Sequence, residues 1–441
     1  MRRHHRRSAA ARRARNLAAA MLAAASLPAG AGGLLLYEIG TADLGLAAAG
    51  YGARAQDAST VLTNPAGMTR FEGTQVLLAG QLLWGDVRFS IGPGTAPALG
   101  TGNGGYPVGW DGWFLGGGPF MTYKVSPDVT VGFAMTGNFG MPLTYDDNWA
   151  GRYYVQQATL IGLSFLPSIA WKVNDKLSVG ATLNAMYGIY RNQVAINNLN
   201  PSFGDGKLRM EDEVWGWGVN LGLLYQFDAK TRVGLVWNSQ VDLDFNAPLE
   251  WTNLAPGLSA LLKSRGLQDA SLGVGIKVPQ GVMASVYSQV DDRLALLGSV
   301  GWQQWSKFGQ VQIGIDNAYN PVSISKNLEF KDTWHVSAGL QYRLSDPWLV
   351  NAGIGYDSAF QSGNVSPMLP VNSAWRFGAG AQKQVDRGAF WGFALEYAYG
   401  GGLDVEQRAQ LPVAAGGRGD LVGAYNQAGS WFGGAYYNWK F

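Results

Sequence analysis

The feature that most constrains the fold is a period-two alternation of apolar and polar residues over long runs. Residues 177–190, 232–245 and 333–345 each place apolar side chains on one face and mainly polar ones on the other. Alternation alone also suits a soluble sandwich. Soluble strands, however, average about 5–6 residues, whereas a tilted strand needs about 9–11 to cross a bilayer. The length of the runs therefore favours membrane-crossing strands, which must close into a barrel because backbone groups in lipid need partners.

The spacing of the turn residues predicts the number of strands. Short polar turns occur at 126–128, 174–175, 228–230, 291–292, 345–347 and 386–388, and long connections at 90–110, 141–158, 191–212, 246–279, 317–331, 358–373 and 401–429. Six turns and seven long connections join fourteen strands. Short turns on one side and long loops on the other are typical of outer-membrane barrels. We therefore predict an all-β fold, with a 14-stranded antiparallel transmembrane β-barrel at residues 74–441.

Residues 1–31 have the pattern of a secretory signal peptide. Seven arginines precede an apolar run, and Ala29, Gly30 and Ala31 offer a small-residue cleavage site. The alternative is a transmembrane anchor, but a stretch dominated by alanine and glycine, with Pro28 in it, makes a poor bilayer helix. We expect the leader to be cleaved on export.

Charge and titratable residues restrict the class of function. Removing the leader's seven arginines changes the formal net charge from +2 to −5, so the basic character does not indicate a nucleic-acid partner. The chain has no cysteine, and His335 is its one histidine outside the leader, so we expect neither metal nor cofactor. A membrane-barrel enzyme is the alternative of another class. No Gly-x-Ser-x-Gly elbow accompanies His335, which disfavours it.

Residues 32–73 do not share the pattern of the barrel. They are rich in glycine and alanine, lack alternation, and carry single polar residues at Asp43, Arg54, Asp57 and Asn64. Such a composition suits close packing inside another structure, and we predict an N-terminal hatch that plugs the barrel. A general porin is a competing function, but a plug of about 40 residues would obstruct the open lumen that a porin needs.

The chain ends in an alternating aromatic strand. Trp431, Ala435, Tyr437, Trp439 and Phe441 fall on one face, which predicts a lipid-facing closing strand. The terminal phenylalanine resembles the C-terminal signal that the barrel-assembly machinery reads in outer-membrane proteins. The resemblance implies that machinery as a partner.

Short motifs follow one another along the chain in a characteristic order. They lie at 44–45, 56–59, 64–66, 130–133, 137–144, 151–154, 166–170, 278–280, 302–308, 330–334 and 353–357. With the apolar start at Leu34 and the terminal Phe441, this series resembles the FadL/TodX family of outer-membrane transporters of hydrophobic compounds. The resemblance covers essentially all of the chain after the leader.

The family resemblance implies passive transport across the Gram-negative outer membrane by a monomer embedded in lipid. A ligand is captured among the loops, passes to an apolar pocket above the hatch, and leaves sideways through an opening in the wall. Long-chain fatty acids are the expected cargo, and monoaromatic hydrocarbons are the alternative. No energy coupling is indicated.

The resemblance also implies gating residues. Asn138, Phe139 and Gly140 match the kink in the third strand that opens the wall. Glycine suits such a kink because it adopts backbone angles that other residues avoid, although an ordinary bulge is the alternative. The Asn64-Pro65-Ala66 element is expected at this opening, with Asn64 bonding strand groups freed by the kink. Asp357 is expected to face the lumen nearby.

Six residues are expected at the ligand. Leu34 would reach the pocket from the hatch, and Lys326 or, less closely matched, Arg191 would bind a carboxylate. For both cations the alternative is a solvated loop charge. Leu258, Leu261 and Leu262 share one face of a predicted loop helix. That face would form either a landing surface for an apolar ligand or a packed lid, and the two are compatible.

Overall fold

The computed structural model describes residues 34–37, 39–104, 112–308, 310–316, 322–327, 329–386 and 388–441. The predicted leader at 1–31 lies outside them. The strands are β1 (Thr74–Asp86), β2 (Phe89–Ile91), β3 (Trp113–Lys124), β4 (Val129–Thr144), β5 (Gln157–Phe165), β6 (Ser168–Lys172), β7 (Leu177–Ile196), β8 (Gly206–Gln226), β9 (Thr231–Asn238), β10 (Val241–Pro248), β11 (Glu250–Thr252), β12 (Ser271–Val278), β13 (Gly281–Gln289), β14 (Leu294–Gln303), β15 (Gln310–Asp316), β16 (Val322–Asn327), β17 (Thr333–Arg343), β18 (Trp348–Asp357), β19 (Ala374–Gln384), β20 (Phe390–Gln407) and β21 (Leu421–Lys440).

Helices are few and short. The α-helices are α1 (Thr60–Thr63), α2 (Pro256–Ser264) and α3 (Trp305–Phe308), and 3₁₀ turns lie at Leu44–Leu46, Pro65–Arg70, Pro97–Leu99, Pro201–Phe203 and Val413–Ala415. Among the described residues there is no helix with the length and apolarity to cross a membrane.

The strands close into an antiparallel barrel of fourteen, which confirms the predicted fold class. Nine barrel strands are continuous: β1, β3, β4, β7, β8, β18, β19, β20 and β21. Each of the other five consists of two consecutive segments: β5 with β6, β9 with β10, β12 with β13, β14 with β15, and β16 with β17. Closure comes from β1, which pairs with β21 on one side and β3 on the other.

Side-chain alternation sorts each strand into a lipid face and a lumen face. On β8, Trp215, Trp217 and Leu221 are exposed, whereas Asn220 and Leu224 between and beyond them are buried. Apolar residues are thus on the outside, as expected where the outer surface contacts lipid instead of water.

The interrupted strands depart from a regular barrel wall. β10, β12, β15 and β16 form a separate four-stranded sheet. This sheet packs on the inner face of the wall where the wall strands carry glycines. A Cβ atom on Gly216 of β8, for example, would lie 2.6 Å from the carbonyl oxygen of Asp242 on β10. Much of 246–279 is therefore strand, and β7 and β8 extend well into 191–212, so both of those predicted long connections were drawn too wide.

Residues 34–73, here called the N-terminal segment, lie against the inner face of the wall. The backbone amides of Gly50 and Gly52 donate to Ser299 Oγ and Ser285 Oγ, at 3.0 Å each. Two strands further around the wall, on β18, a Cβ atom added to Gly353 would overlap the Leu46 carbonyl. Glycines in the wall therefore let two backbones approach closely, a use for which only a residue without Cβ is suited.

A buried ion cluster organises the N-terminal segment. Arg54 Nε donates to Asp43 Oδ1 at 2.8 Å, and its Nη1 donates to Asp57 Oδ2 at 2.6 Å. All three side chains are almost completely buried. Buried charges require such pairing, because an isolated ion in a low-dielectric interior is costly.

Candidate functional site

The third barrel strand, β4, has a β-bulge at residues 137–140, here called the kink. Its register with β5 shifts between Gly137 and Phe139. Gly140 follows with φ +97°, and a Cβ atom there would overlap the carbonyl oxygen of Leu160 on β5. Any side chain at this position would meet both strain and overlap, so the geometry requires glycine.

The other edge of β4 is only partly paired. β3 and β4 form a ladder from Phe120 opposite Ala134 to Lys124 opposite Thr130. A side-chain bond from Thr136 Oγ1 to the Gly117 carbonyl, at 3.2 Å, extends this contact. In the described part of the chain, the ladder between β3 and β4 goes no further toward the long loops. The wall therefore has a gap between its second and third strands, beside the kink.

The start of the N-terminal segment binds this free edge. Leu36 N donates to the Asn138 carbonyl at 3.0 Å, and Gly140 N donates to the Leu34 carbonyl at 2.8 Å. Leu35 and Phe139 thereby form an isolated antiparallel bridge. We call residues 34–36 the latch, since they supply the partners that the kinked strand does not find in β3.

An apolar cavity lies between the latch and the gap. It has an empty volume of ≈ 840 Å³, which includes space open to solvent. Ligand pockets are lined mainly by apolar groups. The lining includes Leu34, Leu36, Leu83, Phe114, Met141 and Phe432. Arg376 is the one charged residue among the described lining residues.

Arg376 belongs to a buried network in which its charge is already compensated. Its Nη1 donates to Glu396 Oε1 at 2.7 Å, and its Nε donates to Asp357. The other Asp357 oxygen contacts His335 Nδ1 at 2.7 Å, and His335 Nε2 contacts Ser337 Oγ at 3.0 Å. Both acids pair with the guanidinium, so the network joins four adjacent strands instead of presenting a free cation to the cavity.

The network also contacts the residue that follows the latch, because the ring of Tyr37 lies 4.7 Å from that of His335. The sequence predicted Asp357 on the lumen face, but the sequence analysis missed Arg376 and Glu396. Both could have been found from the sequence, since each is a charged residue on the inward side of an alternating strand.

An aromatic cluster extends from the kink toward the long loops. The Phe139 ring lies 6.3 Å from Phe308, which lies 5.1 Å from Trp305. Trp305 in turn lies 5.2 Å from Phe360, and Phe330 lies 5.1 Å from Phe360. Edge-to-face contacts at these distances stabilise aromatic clusters. Leu34 packs into the same buried core, which links the latch to the loops.

The Asn64 element is not at the kink, and that expectation was wrong. Asn64 Nδ2 donates to the carbonyls of Gly52 at 2.6 Å and Leu223 at 3.1 Å, and its Oδ1 accepts from Ala66 N. Leu223 is on β8, the sixth barrel strand. The latch binds the kinked backbone groups, whereas Asn64 fastens the segment to β8, three barrel strands away from β4. Pro65 and Ala66 pack there too, against Gly180.

Arg191 does not face the lumen, which corrects the second cation candidate. It is exposed on β7, between the inward residues Tyr190 and Asn192. Its neighbours are acids of the adjacent strand, with Nε 3.7 Å from Glu211 and Nη2 4.0 Å from Glu213. Exposed pairs of this kind contribute little energy.

For Lys326 the structure describes only the backbone, which pairs with Val311 between β15 and β16.

The predicted loop helix is present as α2. Leu261 is 52% exposed, whereas Leu258 and Leu262 are half-buried. Its apolar face is therefore partly packed and partly open to solvent.

Comparison with known proteins agrees with this geometry. A family model described as "Outer membrane protein transport protein (OMPP1/FadL/TodX)" matches residues 22–441. "Outer membrane protein P1" of Haemophilus influenzae is 27% identical over 390 residues, covering 80% of this chain and 83% of that protein. The "Long-chain fatty acid transport protein" of Escherichia coli is 24% identical over 423 residues, covering 87% and 91%.

A crystal structure of a Pseudomonas aeruginosa FadL homologue superposes with a TM-score of 0.80 at 20% identity, covering 93% of this chain and 100% of that one. At this identity the likeness shows the fold. The family match spans nearly the whole chain and therefore shows which family the chain belongs to. The protein belongs to the OMPP1/FadL/TodX family of outer-membrane proteins, which are transport channels for hydrophobic compounds and not enzymes.

Proposed function

We propose that this protein carries long-chain fatty acids across the outer membrane by passive diffusion through the apolar cavity and the gap in its wall. The observation that carries the proposal is the latch. Residues 34–36 close a free strand edge with two backbone hydrogen bonds, directly beside an apolar cavity. Release of those bonds opens a path from the cavity to the lipid.

In this proposal, residues 32–73 are the hatch and the remainder is the conduit. A ligand captured by the loops and the exposed face of α2 moves along the aromatic cluster to the cavity. It leaves between β3 and β4, where the ladder stops at Phe120 and Ala134. The hatch keeps water and polar solutes from the periplasm, and this role is supported by its buried ion cluster and its close glycine contacts with the wall.

Fatty acids are the proposed cargo because a curated relative bears that name and because apolar residues of six strands line the cavity. A carboxylate needs a cation with free donors. Arg376 is committed to two acids and Arg191 faces outward, so Lys326 is assigned this role.

The assignment is tested with purified Lys326→Ala and, as the matched control, Arg191→Ala. We expect Lys326→Ala to weaken binding of a fatty acid but not of the corresponding alkane, and Arg191→Ala to change neither. Equal fatty-acid affinity in all three proteins would remove Lys326 from the site.

Monoaromatic hydrocarbons are the second candidate, and the aromatic cluster of Phe139, Trp305, Phe308, Phe330 and Phe360 favours them. Flat rings pack edge to face on such side chains without a headgroup partner. Competition separates the two cargoes: excess toluene should suppress fatty-acid uptake only if both use this cluster.

The decisive experiment is uptake of a labelled long-chain fatty acid by cells that lack their own transporter and express this protein. Uptake that needs the protein, and that falls when residues 34–36 are deleted, supports the proposal. Asn64→Ala serves as a second variant, because it removes the hydrogen bond that fastens the hatch to β8. A folded barrel in the outer membrane that gives no uptake above background contradicts the fatty-acid assignment.

Two features of biogenesis belong to the proposal. Residues 1–31 act as a cleaved export signal, and the C-terminal strand addresses the barrel to the assembly machinery. Phe441 is 76% exposed beside the β1–β21 seam, where its amide donates to the Thr74 carbonyl at 2.8 Å. Deleting Phe441 is expected to lower the amount of assembled barrel.

A further inference from the structure

A second cavity lies on the other side of the latch. It has an empty volume of ≈ 720 Å³ with space open to solvent, and Leu36 lines both cavities. Its distinguishing feature is a set of carboxamide side chains, from Asn138, Asn184, Asn220, Asn238 and Gln303. We call it the amide chamber.

The chamber is a built part of the wall. Asn220 on β8 is the register partner of Asn238 on β9, and Asn184 faces inward on the adjacent β7. Asn184 is 7% exposed and Asn220 is 5% exposed. The chamber lies where β9 ends at Asn238 and β13 begins at Gly281, so the interruption of these strands creates its outer rim.

Two of the amides have unused hydrogen-bonding capacity. The Oδ1 atoms of Asn184 and Asn238 are buried and have no hydrogen-bond partner among the described residues. Two other polar groups at the chamber have partners: Asn138 Oδ1 accepts from Ser164 Oγ at 2.9 Å, and Gln303 Nε2 donates to the Tyr37 hydroxyl at 2.6 Å. Buried polar atoms normally have partners, so the two orphan oxygens point to an occupant.

The chemistry of the lining defines that occupant. No charged side chain is among the described residues that line the chamber, so an ion would be buried without compensation. A hydroxyl group both donates and accepts, and it therefore satisfies an amide whichever way the amide is turned. Met186, Val241 and Val278 line the chamber and also belong to the apolar core around Leu34 and Phe139. A hydrocarbon tail can thus lie next to the polar head.

We propose that the amide chamber binds the hydroxyl head of an uncharged amphiphile, such as a long-chain alcohol, with its hydrocarbon tail in the neighbouring apolar core. The proposal rests on the proposed function, transport of hydrophobic compounds, and adds a ligand class that a cation site would not select. The orphan oxygen of Asn184 is the principal acceptor and that of Asn238 is the second.

The test compares ligands that differ only in the head. Purified protein in lipid nanodiscs is equilibrated with labelled 1-dodecanol or dodecane, and the Kd of each is measured. We expect wild type to prefer the alcohol and Asn184→Leu to bind it about tenfold more weakly, the effect of one buried hydrogen bond. Dodecane affinity should stay equal or rise, since leucine has nearly the volume of asparagine.

Asn192→Leu is the matched control, because Asn192 is buried on the same strand and lies outside the chamber. It should leave both affinities unchanged. If Asn184→Leu does not assemble, Asn238→Leu supplies the same comparison.

Equal Kd values for alcohol and alkane in wild type, or the same loss for both ligands in Asn184→Leu, would overturn the proposal and leave the chamber as a water site. Uptake of a fatty acid is measured in parallel. Normal uptake without an alcohol preference refutes the chamber alone, and an alcohol preference without uptake refutes the transport assignment alone.

Discussion

Fixing the latch to the kink should stop transport. Leu35 and Phe139 form a non-hydrogen-bonded antiparallel pair, for which the Cα atoms lie about 4.5 Å apart, within the range that a disulfide spans. The chain has no cysteine, so Leu35→Cys with Phe139→Cys introduces the one possible bridge. The reduced form of this double variant is its own baseline, which removes the effect of losing the phenyl ring.

The free energy needed to open the latch follows from the contacts that hold it closed. Two backbone hydrogen bonds contribute about 1 kcal/mol each, and burial of the Leu34 side chain contributes about 2 kcal/mol. Opening then costs about 4 kcal/mol, so about one molecule in a thousand is open at a given moment. A disulfide removes this population altogether.

The assay is fatty-acid uptake by cells before and after oxidation, with recovery on reduction. Oxidised protein should fall to background. The control is Thr231→Cys with Ser288→Cys, which are register partners in β9 and β13 and join two wall strands away from the latch. Undiminished uptake in the oxidised latch variant, with the bridge verified, would refute the view that residues 34–36 must move.

Three further outcomes are expected. Gly140→Val should prevent the kink from forming, because valine disfavours the positive φ and its Cβ atom would overlap β5. The variant should lose the heat-modifiable gel mobility of a folded barrel, and any variant protein that does fold should show no fatty-acid uptake. Arg54→Ala leaves two buried carboxylates without their cation and should destabilise the N-terminal segment by about 3–5 kcal/mol. The variant should therefore be more sensitive to protease than wild type, whereas Arg408→Ala, at an exposed ion pair, should not be. Burial and a hydrogen bond to Asp205 raise the pKa of Tyr153 from 10.0 to about 12. The hydrogen bond between Tyr153 and Asp205 therefore stabilises the fold fully below pH 10, and this stabilisation is lost as pH rises through about 12. When stability is measured against pH, the Tyr153→Phe variant should lack this loss.

The barrel could be predicted because the facing of each strand residue toward lipid or lumen depends on its position within its own strand. Alternation and turn residues record, position by position, which side chains face lipid, and this suffices to count strands. The interruptions at Asn238, Val278 and Gln303 were not predictable in the same way. They depend on a sheet turning inward against glycines of other strands, and such long-range contacts leave no local pattern.

The two site corrections have different causes. Arg191 could have been placed from the sequence, because the period of two puts it on the same side of β7 as Leu183 and Tyr187. The position of Asn64 could not, since the backbone groups it bonds on β8 are chemically like those at the kink. Which carbonyl a buried amide reaches is decided by the path of the whole N-terminal segment.

The contacts of the N-terminal segment also dictate an order of assembly. The segment precedes all the barrel strands along the chain, yet Gly50 binds Ser299, Gln56 binds Gln341, and Leu46 meets Gly353, all far downstream. None of these surfaces exists until the later hairpins have formed. Because the β1–β21 seam then encloses the lumen, the segment has to be inside before that seam zips. Biogenesis is therefore a wrapping process, in which the segment that precedes the barrel strands is among the last parts of the protein to acquire its structure.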